Sequence, residues 1–331
     1  GCIMCLNDDP TKEVILDNII SALKTQVAND TMSLFNLKSG SLLSSLYLSL
    51  LKHWSSCHYQ QWHKLIDLVW TLEKMVFGRN QVINRIQSTL LAAISVLLQY
   101  NRDVKITQQI SNSLVGRLFP LVCLAIQQSS TLYCQQPTDI TDRLEDQKKI
   151  SSHNKKHTLP IIGVCLLDEL VSGPVDTWLP LLRQHSILPL LITTLQSCIV
   201  KKQGLYYVEA VMNLLLNLSQ IQQAAEAVSN CGLTQHTCIT FTATYQKNTE
   251  GEINGHVTIK EQSEPVTWLS VYRQSLTLMA SMLATLKHSF LTDALNFFGV
   301  HQDRITQRYK ITTRQPMSFR PLRVGGSFII V

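Results

Sequence analysis

Apolar residues recur along this chain at helical spacing, three and four apart, almost without a break up to residue 300. Ile15, Ile19, Ile20, Leu23 and Val27 form a first stripe, entered through Asp9-Pro10, where the aspartate can cap and the proline suits a first turn. Leu42, Leu43, Leu46, Tyr47, Leu50, Leu51 and Trp54 form a second, expected to face a neighbouring helix. Trp62, Leu65, Ile66, Val69 and Leu72 predict a third helix, and Val82 through Leu98 a fourth. A fifth pattern starts at Ile106 and is expected to break or kink at Pro120.

The pattern lapses at 128–159, where Gln and Ser give way to a charged run that includes Arg143, Glu145, Lys148 and Lys149. With no apolar face to bury, that stretch is expected to be a polar linker. Helical spacing resumes at Pro160 and continues through 303, interrupted only at 237–264. There Ile239, Phe241, Ala243 and Tyr245 alternate with threonines, and Ile253, Val257 and Ile259 alternate after a turn at Asn248–Gly251, as in a small β-hairpin insertion. Phe290, Leu291, Ala294, Leu295 and Phe298 make a closing stripe expected to stop at Gly299, and 304–331 is expected to be a basic, irregular tail.

About eleven amphipathic helices on short links cannot each hide an apolar stripe alone, so neighbours must supply the opposing wall. The expected fold is therefore all-α: an α-solenoid of HEAT/armadillo-like helix pairs, with helical repeats at 1–127 and 160–303. The stretch Gln184–Gly232 shows the layout best: a short helix containing Pro189, a longer one ending at Ser219, then Ala224–Val228 stopping at Cys231-Gly232. Strands never alternate with helices, which disfavours a parallel α/β sheet.

Composition narrows the function. The 331 residues are 45% apolar and 16% charged, a folded chain and not a disordered one. The net charge of +6 sits entirely beyond Asp303: Arg304, Arg308, Lys310, Arg314, Arg320 and Arg323 follow it with no acid, leaving a formally neutral body. A neutral body lacks the basic field of a nucleic-acid groove, so no specific nucleic acid is expected as a partner. Nine scattered cysteines read as reduced thiols of the cytosol or nucleus. The apolar run Leu118 to Ile126 is too short to cross a bilayer, and no transmembrane segment is expected. Gly1 stands where a Met would start, as in a fragment of a longer protein.

No phosphate-binding glycine loop, nucleophile elbow or His-Glu-x-x-His occurs, so no enzyme, catalytic residue, cofactor or small-molecule substrate is expected. Cys2 and Cys5 have the spacing of half a zinc site, without a second pair. His53, Cys57, His58 and His63 crowd a helix end, and Cys231, His236 and Cys238 lie beside the hairpin; a wet loop and buried thiols account for both sets, and no metal is expected. Asp168 and Glu169 are adjacent on a helix, about 100° apart, so they cannot readily flank one substrate; with Asp176 they are expected to line a solvated face. Trp54, Trp62, Trp70, Trp268 and Tyr272 suit core packing.

Three stretches carry a resemblance: Lys38–Tyr47, Val271–Leu283 and Phe290–Gln302. Over residues 1 to about 307 the chain resembles the C-terminal half of the nucleoporin 188 family of large inner-ring scaffold nucleoporins. The resemblance implies a superhelical helix stack within the nuclear pore complex at the nuclear envelope. It also implies binding to other nucleoporins, an inner-ring adaptor nucleoporin among them for the full-length protein, and support for protein and mRNA transport, with transport receptors as further partners. The family would continue in helices after Gln307, and the basic end departs from that pattern. The alternative is a soluble HEAT-repeat transport receptor or adaptor, whose acidic inner surface the neutral body does not match.

Overall fold

The computed structural model describes residues 9–28, 34–54, 62–75, 81–100, 106–134, 158–237 and 267–314. Of these, 92% are helical and none is in a strand, so the all-α expectation holds. The hairpin expected at 237–264 falls almost wholly outside the described residues, as do most of the linker and the end of the tail.

The helices are α1 Asp9–Ala28, α2 Leu34–His53, α3 Trp62–Met75, α4 Gln81–Tyr100, α5 Ile106–Tyr133, α6 Thr158–Leu170, α7 Val175–Gln184, α8 Ile187–Lys201, α9 Leu205–Ser219, α10 Gln222–Asn230, α11 Trp268–Leu286 and α12 Leu291–Arg314. They stack in two layers. One runs α2–α4–α6–α9–α11, each helix touching the next. The other runs α1–α3–α5, continues through α7 and α8, and reaches α10, which packs on α7. Pairs α1–α2, α3–α4, α5–α6, α8–α9 and α10–α11 tie the layers together, as helix pairs of a solenoid do.

The core between the layers is apolar and continuous. Leu50, Leu51, Leu65, Leu90, Ile94, Phe119, Val164, Trp178, Tyr207, Leu215 and Met279 are all buried in it. Close approach occurs where side chains are smallest: a Cβ on Gly163 of α6 would stand 3.1 Å from Ala125 Cβ and 3.2 Å from Ile126 Cγ1 of α5. Trp178 turns its indole N–H back to the Gly173 carbonyl at 3.0 Å, which satisfies the one polar atom of a fully buried ring.

Three expectations need correction. Pro120 does not interrupt α5, which runs through it to Tyr133, beyond the boundary expected at 127. A mid-helix proline loses the bond to the carbonyl four residues back, at about 3 kcal/mol; here Leu118, Phe119, Leu121 and Val122, buried on both sides of it, hold the helix together. Gly299 likewise does not stop α12, and 304–314, expected to be irregular, are helical. Phe297 and His301 flank the glycine with their rings 4.5 Å apart, and His301 lies 5.4 Å from the ring of Tyr272 on α11, which carries the helix across. Finally, the α2 stripe divides: Tyr47, Leu50, Leu51 and Trp54 are buried, but Leu42 is 73% exposed and Leu46 45%.

Helix ends follow local chemistry. Gly232, with φ +74°, supplies the left-handed residue just past α10, where the sequence placed a stop. Thr267 and Ser270 form a reciprocal capping box at the start of α11, each hydroxyl accepting from the other's backbone N–H, at 3.1 and 3.0 Å.

Candidate interaction surface

The polar side chains singled out in the sequence lie apart. Asp168 accepts from Asn217 Nδ2 on α9 at 2.7 Å, whereas Glu169 accepts from Gln99 Nε2 on α4 at 3.0 Å. Neighbours in sequence, the two carboxylates reach toward opposite flanking helices, as the 100° step dictates. They are not merely solvated: they join adjacent helices. With Gln274 Nε2 donating to Asn213 Oδ1 at 3.1 Å and Ser219 Oγ to Ser281 Oγ at 2.7 Å, they make a polar seam along α4, α6, α9 and α11. Sequence reasoning missed this seam, because its partners are 49 to 70 residues apart. The second layer has its own ties: Lys64 to Asp17 at 3.1 Å, Arg117 to Asp67, and Trp70 Nε1 to the Arg117 carbonyl at 3.1 Å.

The remaining candidates disperse in the same way. Asp176 sits exposed in the first turn of α7. His53 ends α2 and His63 opens α3, both exposed; Cys2, Cys5, Cys57, His58 and Cys238 lie outside the described residues. His236 Nδ1 pairs with Gln196 Oε1 at 2.6 Å, linking the short helical stretch 233–237 to α8, and Cys231 is half-buried nearby. Among the described residues no group of three or more His, Cys, Asp or Glu is placed to hold a metal ion. Burial pushes the Cys165 thiol up, and Asp168, Glu169 and Glu209 push it further. That is the opposite of an activated nucleophile.

Among the described residues one small cavity stands out. A cavity between α3, α4, α5 and α6, bounded by Val69, Glu73, Gln87, Leu121 and Leu159, holds about 10 Å³, room for a single water. A small-molecule site is some thirty times larger or more, about 300–1,000 Å³. Val82–Gln99 has the length and mean hydropathy (1.3) of a membrane span, yet half of it is buried against neighbouring helices, which marks it as a core helix of the stack.

Exposed apolar side chains, by contrast, gather in places. Val14 of α1 joins Leu42 and Leu46 of α2 on the first helix pair; Leu291, Leu295 and Val300 lie along α12; Val200 and Tyr206 flank the α8–α9 turn. The outward side of α1 between Thr11 and Thr25 presents Val14, Asn18, Ser21 and Ala22, without a charge.

A two-layer helical stack with dispersed polar residues defines a class: an α-solenoid of paired helices. The comparisons give the class a family. Nucleoporin NUP188 of Homo sapiens is 29% identical over 315 residues, covering 92% of this chain and 18% of that protein. Nucleoporin NUP188 of Mus musculus is 30% identical over 280 residues, and that of Xenopus tropicalis 27% over 286, each covering 82% of this chain and 16% of the relative. The resemblance to the nucleoporin 188 family thus extends over most of the chain, and the chain spans less than a fifth of the length of these curated relatives. No family model matches it. Nucleoporins are components of the nuclear pore complex, so the localisation expected from the sequence, at the nuclear envelope, agrees with the comparisons. These relatives are structural nucleoporins, which supports a non-enzyme at the level of the family.

Proposed function

We propose that this chain is a length of scaffold in the inner ring of the nuclear pore complex, where it binds other nucleoporins and supports the passage of protein and mRNA between nucleus and cytoplasm. One observation carries the reading: the likeness to Nucleoporin NUP188 runs through 82–92% of a chain whose helices form a continuous two-layer stack. The division of labour within the stack supports it. Polar seams fix helix against helix, and exposed apolar side chains on α1, α2 and α12, among them Val14, Leu42, Leu46 and Leu295, remain for neighbours. The chain works by contact and carries no reaction, cofactor or metal. Its partners are other nucleoporins, with an inner-ring adaptor nucleoporin bound by the full-length protein, and transport receptors in passage.

Capture of the tagged full-length protein from nuclear-envelope extract, with the bound proteins identified by mass spectrometry, tests the proposal. The expected result is recovery of inner-ring nucleoporins in near-stoichiometric amounts at moderate salt. Recovery of transport cargo, with no nucleoporin retained, would instead identify a soluble HEAT-repeat transport receptor and overturn the scaffold reading.

A further inference from the structure

The C-terminal turn of α5 meets the end of α8 and the start of α9 in a cluster that the scaffold reading does not use. Lys201 Nζ donates to the Tyr133 carbonyl at 2.8 Å and to the Cys134 carbonyl at 3.4 Å, and Ser197 Oγ donates to the same Tyr133 carbonyl at 3.2 Å. Cys198 stands between these two donors on α8, three residues before Lys201 and therefore on its side of the helix. The Tyr133 and Tyr207 rings pack 5.1 Å apart. Their approach is possible because residue 204 is glycine: a Cβ there would lie 2.7 Å from Tyr133 Cε1.

The two thiols in this cluster differ in access. Cys134, one residue past α5, is exposed; Cys198 has no exposed surface. Burial pushes the Cys198 thiol well up, the neighbouring Cys134 adds to the rise, and the Lys201 ammonium opposes it. Both cysteines act on the Tyr207 phenol as well, though burial is the largest influence there. The backbone of Tyr133 and Cys134 thus lies on the 197–201 turn of α8 that carries Cys198, with one thiol open to solvent and the other buried.

We propose that Cys134 and Cys198 form a reversible dithiol pair, which hydrogen peroxide converts to an intrachain disulfide fastening the end of α5 to α8. Access sets the order of events. The Cys134 thiolate attacks a peroxide oxygen; the O–O bond breaks, leaving a sulfenic acid on Cys134 and a hydroxide that takes up a proton. The Cys198 sulfur then attacks the Cys134 sulfur. The S–S bond forms, the S–O bond breaks, and the oxygen leaves as water with the proton from Cys198. Two thiols lose two electrons, one peroxide becomes two waters, and a dithiol reductant reverses the change. The high pKa of Cys198 keeps the second step slow, which suits a response to sustained oxidant in a compartment that otherwise keeps thiols reduced. Once closed, the bond fastens the end of α5 to its neighbour α8 within their shared layer.

The test is a disulfide map of the full chain. The folded protein is treated with a small excess of hydrogen peroxide, free thiols are alkylated at acidic pH, and the digest is analysed unreduced by mass spectrometry. The expected product is a Cys134–Cys198 cross-link that dithiothreitol removes and Cys134→Ser abolishes. Because Cys134 is exposed, that variant keeps the fold, and an unchanged melting temperature verifies this. The same treatment in urea should scatter the pairing among all the cysteines. Cys134 ending as sulfinic acid with Cys198 still reduced, or pairing with Cys165 or Cys231 as readily as with Cys198, overturns the proposal, and so does equal selectivity in urea.

Discussion

Gly204 shows how much a single position can carry. Its φ of +65° lies in the left-handed region, and a Cβ would drive into the Tyr133 ring. Gly204→Ala is therefore expected to cost about 2 kcal/mol or more in a urea titration, from backbone strain and displaced ring together. Gly116, inside α5 with nothing within 4 Å of its would-be Cβ, should respond the other way: Gly116→Ala is expected to stabilise by up to about 1 kcal/mol. In sequence the two glycines look alike, because neither backbone angle nor neighbouring ring is written locally. The same holds for Cys123, whose thiol burial raises from the ordinary 9.0 to about 12. A group raised in the folded state contributes its full share of stability below its unfolded pKa and loses it as pH climbs through the folded one. Stability should therefore hold up to about pH 9 and fall between there and about 12. Cys123→Ala, compared with the parent by urea midpoint at pH 8 and pH 10.5, should show the smaller alkaline loss.

Helices were legible because burying a stripe requires a period, and a period is visible in one chain. What periodicity could not supply was the direction in which each stripe points. Within α2, Leu42, Leu46 and Leu50 follow one another at intervals of four, yet of the three only Leu50 is buried in the core. Leu50→Asp should therefore cost about 3–5 kcal/mol, because it removes a buried side chain and buries a carboxylate. Leu42→Asp should stay within about 0.5 kcal/mol, as exposed substitutions do. Equal losses of melting temperature for the two would mean that both faces of α2 are covered. Helix ends were harder to read than helices. Pro120 and Gly299 are strong local breakers, overridden by Phe119 and Val122 in one case and by Phe297 and His301 in the other. Where no tertiary contact opposed it, as at Gly232, the local signal decided the end.

At the scale of the whole molecule, the sequence pointed to an all-α stack of helix pairs, and the two layers agree. The carboxylates that might have flanked a substrate reach instead to α4 and α9. The sequence could not reveal that seam, since it depends on which distant helices become neighbours. Nor could it locate the apolar side chains left outside, which emerge only once the two layers are assembled. A scaffold and a soluble receptor can share all of this architecture, but they differ in how long they stay in place. Fluorescence recovery after photobleaching, on the full-length protein tagged at its own locus, measures that directly. The scaffold account predicts a punctate nuclear-rim signal with almost no recovery over many minutes. A rim signal that refills within seconds from a diffuse nuclear and cytoplasmic pool would contradict it.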